Sequence, residues 1–399
     1  MQRVYVVGTA DTKAEELRFL VRAIRSAGRE TLLVDVGTTP HPDIDGITPA
    51  AVARHVPAEF ADDLRSGDRG RAVAAMGQAF ATFIQSRTDV AAVIGIGGGG
   101  GTSIVTEGMR RLPYGIPKVM VSTLASGDTS PYVGISDIVM VPAITDLAGL
   151  NRISRVVLGN AARAVVAMAQ PAEAQESKPA IGLTMFGVTT PCVTAIVEEL
   201  KADFDCMVFH ATGTGGRTME KLAASGMLSA LLDITTTEVC DLLLGGVLAA
   251  GEDRLDVVAE RKLPYVGSVG ALDMVNFWAP DTIPERYAGR LFHRHNPNVT
   301  LMRTTAEECG LIGEWIGRKL ARCEGPVRFL IPEKGVSALD IEGGALFDPQ
   351  ADRALFDAIE GAGDFGGERK LVRLPLHIND PAFASAAVAA FREIIPSVQ

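Results

Sequence analysis

The chain has no run of about 18 apolar residues, the length a membrane helix needs. The apolar part of its opening, MQRVYVVGTADTK, is also too short for a secretory leader. These absences argue against a membrane protein or an exported one, and the expected compartment is the cytoplasm. Cysteine is sparse. The five residues Cys192, Cys206, Cys240, Cys309 and Cys323 form no CxxC pair and an odd number, which fits reduced thiols better than a disulfide frame or a zinc site. Positive charge is short as well: 38 Lys and Arg against 48 Asp and Glu leave a formal charge of -10. No segment concentrates the cations that a nucleic-acid backbone demands, so an anionic ligand has to be held locally, by backbone and a few side chains.

What is present is apolar and periodic. With 399 residues, 47% of them hydrophobic and 22% charged, the chain is long enough for two domains with sizeable cores. Near-continuous Val/Ile/Leu runs alternate with helical stretches: RVYVVG, TLLVDVG, VAAVIGI, PKVMVST and DIVMVPA in the first half, then AIGLTMF, CMVFHA, ALLDIT, YVGSVG and VRFLIP in the second. Strands of that kind belong to parallel sheets covered on both faces. The expected fold is α/β, with two Rossmann-like, doubly wound parallel-sheet domains and a ligand cleft between them. The polar, proline-flanked stretch QPAEAQESKP reads as the boundary. It divides a nucleotide-binding domain (1–170) from a substrate domain (180–399), with 171–179 as linker.

The most informative local feature is a run of five glycines, Gly97, Gly98, Gly99, Gly100 and Gly101, delivered by VAAVIGI and closed by Thr102. A buried strand leading into a turn without side chains, then a helix, exposes backbone N–H groups and the positive end of a helix dipole to an anion. It is not a Walker A loop, which needs Lys just before the Ser/Thr; Gly101 stands there. Nor is it an ordinary dinucleotide loop, since the following strand IPKVMVSTL ends without the acid that would hold a ribose. Phosphate binding outside both patterns is the expectation; the alternative is a mobile loop with no ligand.

Other strand ends carry dense small polar residues. Thr9, Asp11, Thr12 and Lys13 follow the first strand, where Lys13 supplies the point charge the glycines lack, or Asp11 and Thr12 simply cap a helix. Ser126, Gly127, Asp128 and Thr129 follow the fourth, with Asp128 the best candidate for a Mg²⁺ ligand unless the segment is only a polar turn. In the second half Thr189 and Thr190, then Thr212, Gly213, Thr214 and Gly215, then Asp233 form three clusters suited to a substrate. Cys192, at a helix start, is a candidate nucleophile or a packing residue, and His210 a candidate acid or base or a structural histidine.

Taken together, GTADTKAEEL, IGIGGGGGT, VSTLASGDTSPYVGISDI, GLNRIS, FGVTTPCV, HATGTGG and LDITTTEV resemble the family that shares the ATP-binding N-terminal region of the tomato mosaic virus resistance protein. The resemblance covers almost the whole chain. It implies two Rossmann-like subdomains, ATP as ligand and a homodimer, with nucleotide contacts on the glycine run and on the TADTK and SGDTS loops. Two functions then compete. One is an ATP-dependent enzyme acting on a small organic acid or carbonyl compound, with Mg²⁺ and Lys13 offsetting phosphoryl charge. The other is a nucleotide-binding interaction module in which ATP orders loops for a protein partner.

Overall fold

The computed structural model describes residues 2–37, 45–170 and 178–395. The chain divides into two compact units, Met1–Ala174 and Gln175–Gln399. Most of the expected linker, 171–177, lies outside the described residues.

The first unit contains β1 (Arg3–Gly8), α1 (Ala10–Ser26), β2 (Thr31–Asp35), α2 (Pro49–Ala53), α3 (Arg69–Gln85) and β3 (Val90–Gly97). It continues with α4 (Gly99–Arg111), β4 (Lys118–Ser122), α5 (Ser130–Val133), β5 (Ile138–Pro142) and α6 (Arg152–Met168). All five strands are parallel, in the order β2-β1-β3-β4-β5. The apolar runs become central strands because both faces are covered. Leu17, Leu20 and Ile24 of α1 and Leu158 and Val165 of α6 pack on one face, while Phe80, Phe83 and Ile84 of α3 and Ile104 and Met109 of α4 pack on the other. Each such side chain, fully buried, contributes about 1.5–3 kcal/mol of hydrophobic stabilisation.

The second unit contains β6 (Ala180–Met185), α7 (Thr190–Leu200), β7 (Asp205–His210), α8 (Thr214–Ala224), β8 (Ala230–Thr235), α9 (Glu238–Leu244) and α10 (Asp256–Arg261). After β9 (Tyr265–Gly270) come β10 (Met274–Phe277), β11 (Phe292–Asn296), β12 (Val299–Arg303), α11 (Ala306–Ala321), β13 (Val327–Pro332), α12 (Pro349–Ala362), β14 (Arg369–Leu374) and α13 (Pro381–Ile394). Six strands form a parallel sheet in the order β14-β13-β9-β8-β6-β7. A small antiparallel sheet, β10-β12-β11, is added to it, with the partly exposed strand β11 at one edge.

Both parallel sheets therefore share one topology. The second strand to appear lies outside the first, and every later strand adds on the first strand's other side. The winding direction reverses between β1 and β3 in one unit and between β6 and β8 in the other. Loops leaving the carboxyl ends of two such strands diverge to opposite faces and leave a crevice there.

Candidate functional site

At the β1/β3 reversal the crevice is open. A cavity of about 450 Å³ is lined there by Thr9, Asp11, Thr12 and Lys13 on one side and by Gly98, Gly99, Gly100 and Gly101 on the other. Val36, Val73 and Ile104 make its apolar wall, and Arg69 of α3 stands at its edge. The two loops, some ninety residues apart in sequence, are thus brought together by strand pairing. The helix α4 starts at Gly99 with Gly98 as its cap residue, and no side chain caps it among the described residues. Its first N–H groups have no intrahelical partner and point out of the end of the helix.

The glycines differ in their reason for being glycine. A Cβ at Gly97 would sit 2.5 Å from the Thr102 nitrogen, so the turn itself forbids a side chain. At Gly98, Gly99 and Gly100 the nearest protein atom to such a Cβ is 3.5 Å or more away. Protein packing does not demand glycine at those three positions; a Cβ there would make only ordinary contacts, beside the cavity.

Thr102 does not present its hydroxyl to a ligand. It is fully buried, and its Oγ1 lies 2.7 Å from Ser122 Oγ, tying α4 to the end of β4. Lys13 donates from Nζ to the Leu147 carbonyl oxygen at 2.9 Å, which anchors its side chain across the unit. The SGDTS loop does not line the cavity. Asp128 is exposed and accepts from the Ser130 backbone N–H at 2.9 Å and its hydroxyl at 2.7 Å, bonds that hold its carboxyl below the ordinary value. It acts as a local turn cap, with Ser126 and Gly127 exposed beside it and Thr129 half-buried.

In the second unit most of the polar side chains at the ends of β6, β7 and β8 have partners inside the unit. Asp233 is fully buried and accepts from Thr184 Oγ1 (2.7 Å), Tyr265 OH (3.0 Å) and Arg254 (2.8 Å). The glycine turn after β7 does hold a carboxylate, and it is the protein's own: Glu238 accepts from the N–H groups of Gly213 at 2.6 Å and Gly216 at 3.1 Å. Glu238 and Glu220 both pair with the buried Arg254. Gly215 is required there because a Cβ would lie 1.8 Å from the His210 carbonyl oxygen. Thr189 shares a hydrogen bond with Thr235 at 2.8 Å, and the Thr190 hydroxyl donates to the Phe186 carbonyl oxygen at 3.3 Å. Thr212 Oγ1 donates to the His210 carbonyl oxygen at 3.3 Å, while Thr214 is exposed. Of the expected substrate contacts, Asp233 and Gly213 thus have internal partners in the structure.

Cys192 is placed as its packing alternative would have it. It is 1% exposed, and burial pushes its thiol up to about 12, the reverse of the lowering that a nucleophile at a helix N-terminus needs. His210 ends the edge strand β7 with its ring edge-on to Phe186, centroids 5.3 Å apart.

Against this geometry the comparisons with known proteins are informative. The model of the uncharacterised protein family UPF0261 matches residues 2–174 with its N-terminal domain and 178–395 with its C-terminal domain. The chain belongs to the UPF0261 family. A UPF0261 protein of Rhizobium meliloti is 68% identical over 395 residues, covering 99% of both chains. One from Clostridium tetani is 42% identical, covering 96% of this chain and 97% of its own. The tomato ToMV resistance protein Tm-1(GCR237) is 42% identical over 99% of this chain, which spans 56% of the tomato protein. Among solved structures, a Streptomyces glycosyltransferase complexed with thymidine diphosphate matches 67% of this chain and 82% of its own at 13% identity, with a TM-score of 0.18, too low to bear on fold or site.

Among the described residues of this UPF0261 chain, no group of three or more His, Cys, Asp or Glu is placed to hold a metal ion, and no helix is long and apolar enough to cross a membrane. Arg69, Val36, Val73 and Ile104 of the cavity lining, and Asp35 beneath its first loop, were not read from the sequence. Arg69 lies far from any glycine motif, and only the packing of α3 beside α4 brings it to the cavity. Asp35, at the end of β2, accepts from the N–H groups of Ala10 and Gly37, each at 2.9 Å, and so closes the turn that presents Thr9. The one available signal was its place as an acid ending a buried strand beside β1.

Proposed function

We propose that this chain is an ATP-binding protein, with the triphosphate lying on Gly98 to Gly101 and the ligand's apolar portion against Val36, Val73 and Ile104. The observation that carries this is the cavity at the β1/β3 reversal, where an uncapped helix N-terminus, three glycines with no packing reason to be glycine, and two cationic residues converge. The volume is of the order that small-ligand sites have. ATP in particular rests on the family resemblance in the motif segments. Mg²⁺, if it accompanies the nucleotide, would be held mainly by phosphate oxygens with one carboxylate, as is usual for that ion; Asp11, which lines the cavity, is better placed than Asp128.

Between the two uses of ATP, the geometry favours the interaction module. The enzyme reading drew on the polar turns of the second unit, and Asp233, Glu238 and Thr189 there are occupied by internal partners. Calorimetry with ATP and Mg²⁺ tests the site: the folded double variant Gly98→Val, Gly99→Val should lose at least about tenfold in affinity. Unchanged affinity would place the nucleotide elsewhere. A screen of small organic acids and carbonyl compounds for stimulated ATP consumption then separates the uses, since any turnover restores the enzyme.

A further inference from the structure

Behind the antiparallel sheet of the second unit, three carboxyl groups surround a single guanidinium. Asp273, Asp340 and Asp352 are at most 5% exposed, and so is Arg303. Arg303 donates to Asp352 Oδ1 at 2.6 Å and to the Asp348 carbonyl oxygen at 3.1 Å; Asp340 Oδ1 lies 3.9 Å from the same nitrogen. Asp340 Oδ2 is fixed by the Val336 N–H at 2.8 Å, and Asp273 Oδ2 by the Ser337 hydroxyl at 2.7 Å. The other oxygens of Asp340 and Asp273 have no hydrogen-bond partner among the described residues.

The charge does not balance. Three ionised carboxylates against one cation would leave two excess negative charges in a space closed to water, and two of those carboxylates converge on one Arg303 nitrogen. Like charges so placed oppose each other's ionisation, and a shared proton is one resolution. Asp340 Oδ1 and Asp352 Oδ1 lie 3.9 Å and 2.6 Å from that one nitrogen, so a proton held between the two carboxyls also serves the orphan Asp340 oxygen.

We propose that Asp340 and Asp352 share one proton in the folded chain, and that this proton latches the 333–347 loop onto the first turn of α12. The loop leaves the carboxyl end of β13, the end of a parallel sheet where ligands are received. It is tightly built: Gly335 has φ of +124°, and a Cβ there would lie 1.8 Å from the Asp340 carbonyl oxygen. The groups facing the pair are Asp273 ahead of β10, Arg303 on β12, Asp348 at the cap of α12, and Cys309 on α11; Cys240 and Asp241 of α9 lie behind Asp273 and Arg303. His377 touches the loop from the other side, its Nε2 2.9 Å from the Ser337 carbonyl oxygen. Burial pushes Asp352 up to about 8 and Cys309 up to about 11, so the thiol is silent where the carboxyl titrates. Once the proton leaves to solvent, Asp340 and Asp352 repel and the loop loosens.

Hydrogen exchange of the full chain at about pH 6 and about pH 9 tests this, using protection factors so that intrinsic base catalysis is removed. In the wild type the Val336 and Asp340 amides should lose about tenfold or more in protection at the higher pH. Asp352→Asn, whose amide donates to Asp340 at every pH, should lose clearly less, because Asp273 beside the Ser337 hydroxyl is then the acid of this cluster that still titrates. Constant wild-type protection overturns the latch, and so does an equal loss in the variant. Should the variant fail to fold, ¹³C titration of the wild-type Asp352 carboxyl decides: a midpoint near or above neutrality supports the shared proton, and one in the ordinary carboxylate range overturns it.

Discussion

At the scale of single residues, the five glycines make a test because they are not equivalent. Gly97→Ala forces a Cβ to 2.5 Å from the Thr102 nitrogen and should cost about 1–3 kcal/mol of stability, read as a lower denaturation midpoint. Gly99→Ala meets nothing nearer than 3.9 Å in the first turn of α4 and should be neutral or stabilising by up to about 1 kcal/mol, while weakening ATP. A Gly99→Ala protein that is as destabilised as Gly97→Ala would mean the loop's openness has a structural cause. Cys192 gives a second test. Its burial, with a thiol pushed up to about 12, predicts that iodoacetamide at mildly alkaline pH leaves it unmodified in the native protein, whereas half-buried Cys206 reacts sooner. Faster labelling of Cys192 would return it to the list of nucleophiles.

At the scale of elements, the β7–α8 turn and the start of α9 act as one piece, because Glu238 is the anion that the glycine turn holds. Glu238→Ala should cost about 3–5 kcal/mol, since it strands Arg254 and two backbone N–H groups in a buried space. Urea denaturation reads this directly; a loss under about 1 kcal/mol would show that water or another group replaces the carboxylate. The turn was legible as an anion cradle from HATGTGG. Its occupant was not, because Glu238 is twenty-odd residues downstream and reads locally as a helix-start acid. The same holds for Asp233, whose neighbours in sequence are threonines but whose partners in space are Arg254 and Tyr265.

At the scale of the whole molecule, buried acids set the response to pH. Burial pushes Glu220, Asp241 and Asp273 each up to about 7 and Asp352 to about 8. The folded chain therefore keeps protons that the unfolded chain, with carboxyls near about 4, has released. Stability should fall as pH climbs from about 4 to about 8 and change little above that on account of these groups. Glu393, held down to about 2 by Arg328 and Lys370, has the opposite sign, but it is exposed and acts only at lower pH. Denaturation midpoints at about pH 5, 7 and 9 check the direction; a midpoint rising over that interval contradicts it.

The sequence by itself determined the α/β class, ten of the parallel strands and the two-unit plan, because these depend on short-range periodicity: an apolar run long enough for a strand, a helix behind it, a glycine or proline to stop it. β14 and the short antiparallel strands, with their mixed polar residues, were not legible in it. It also placed the TADTK and glycine loops at strand ends. Strand order was decided by tertiary structure alone, and with it the β1/β3 reversal that sets those loops face to face and brings Arg69 beside them. Tertiary structure decided equally which polar side chains face outward. Thr102, Asp233 and Cys192 have the same residue types and local settings as ligand-binding groups, yet each is enclosed by elements distant in the chain, and no local pattern records what will pack on top of a turn.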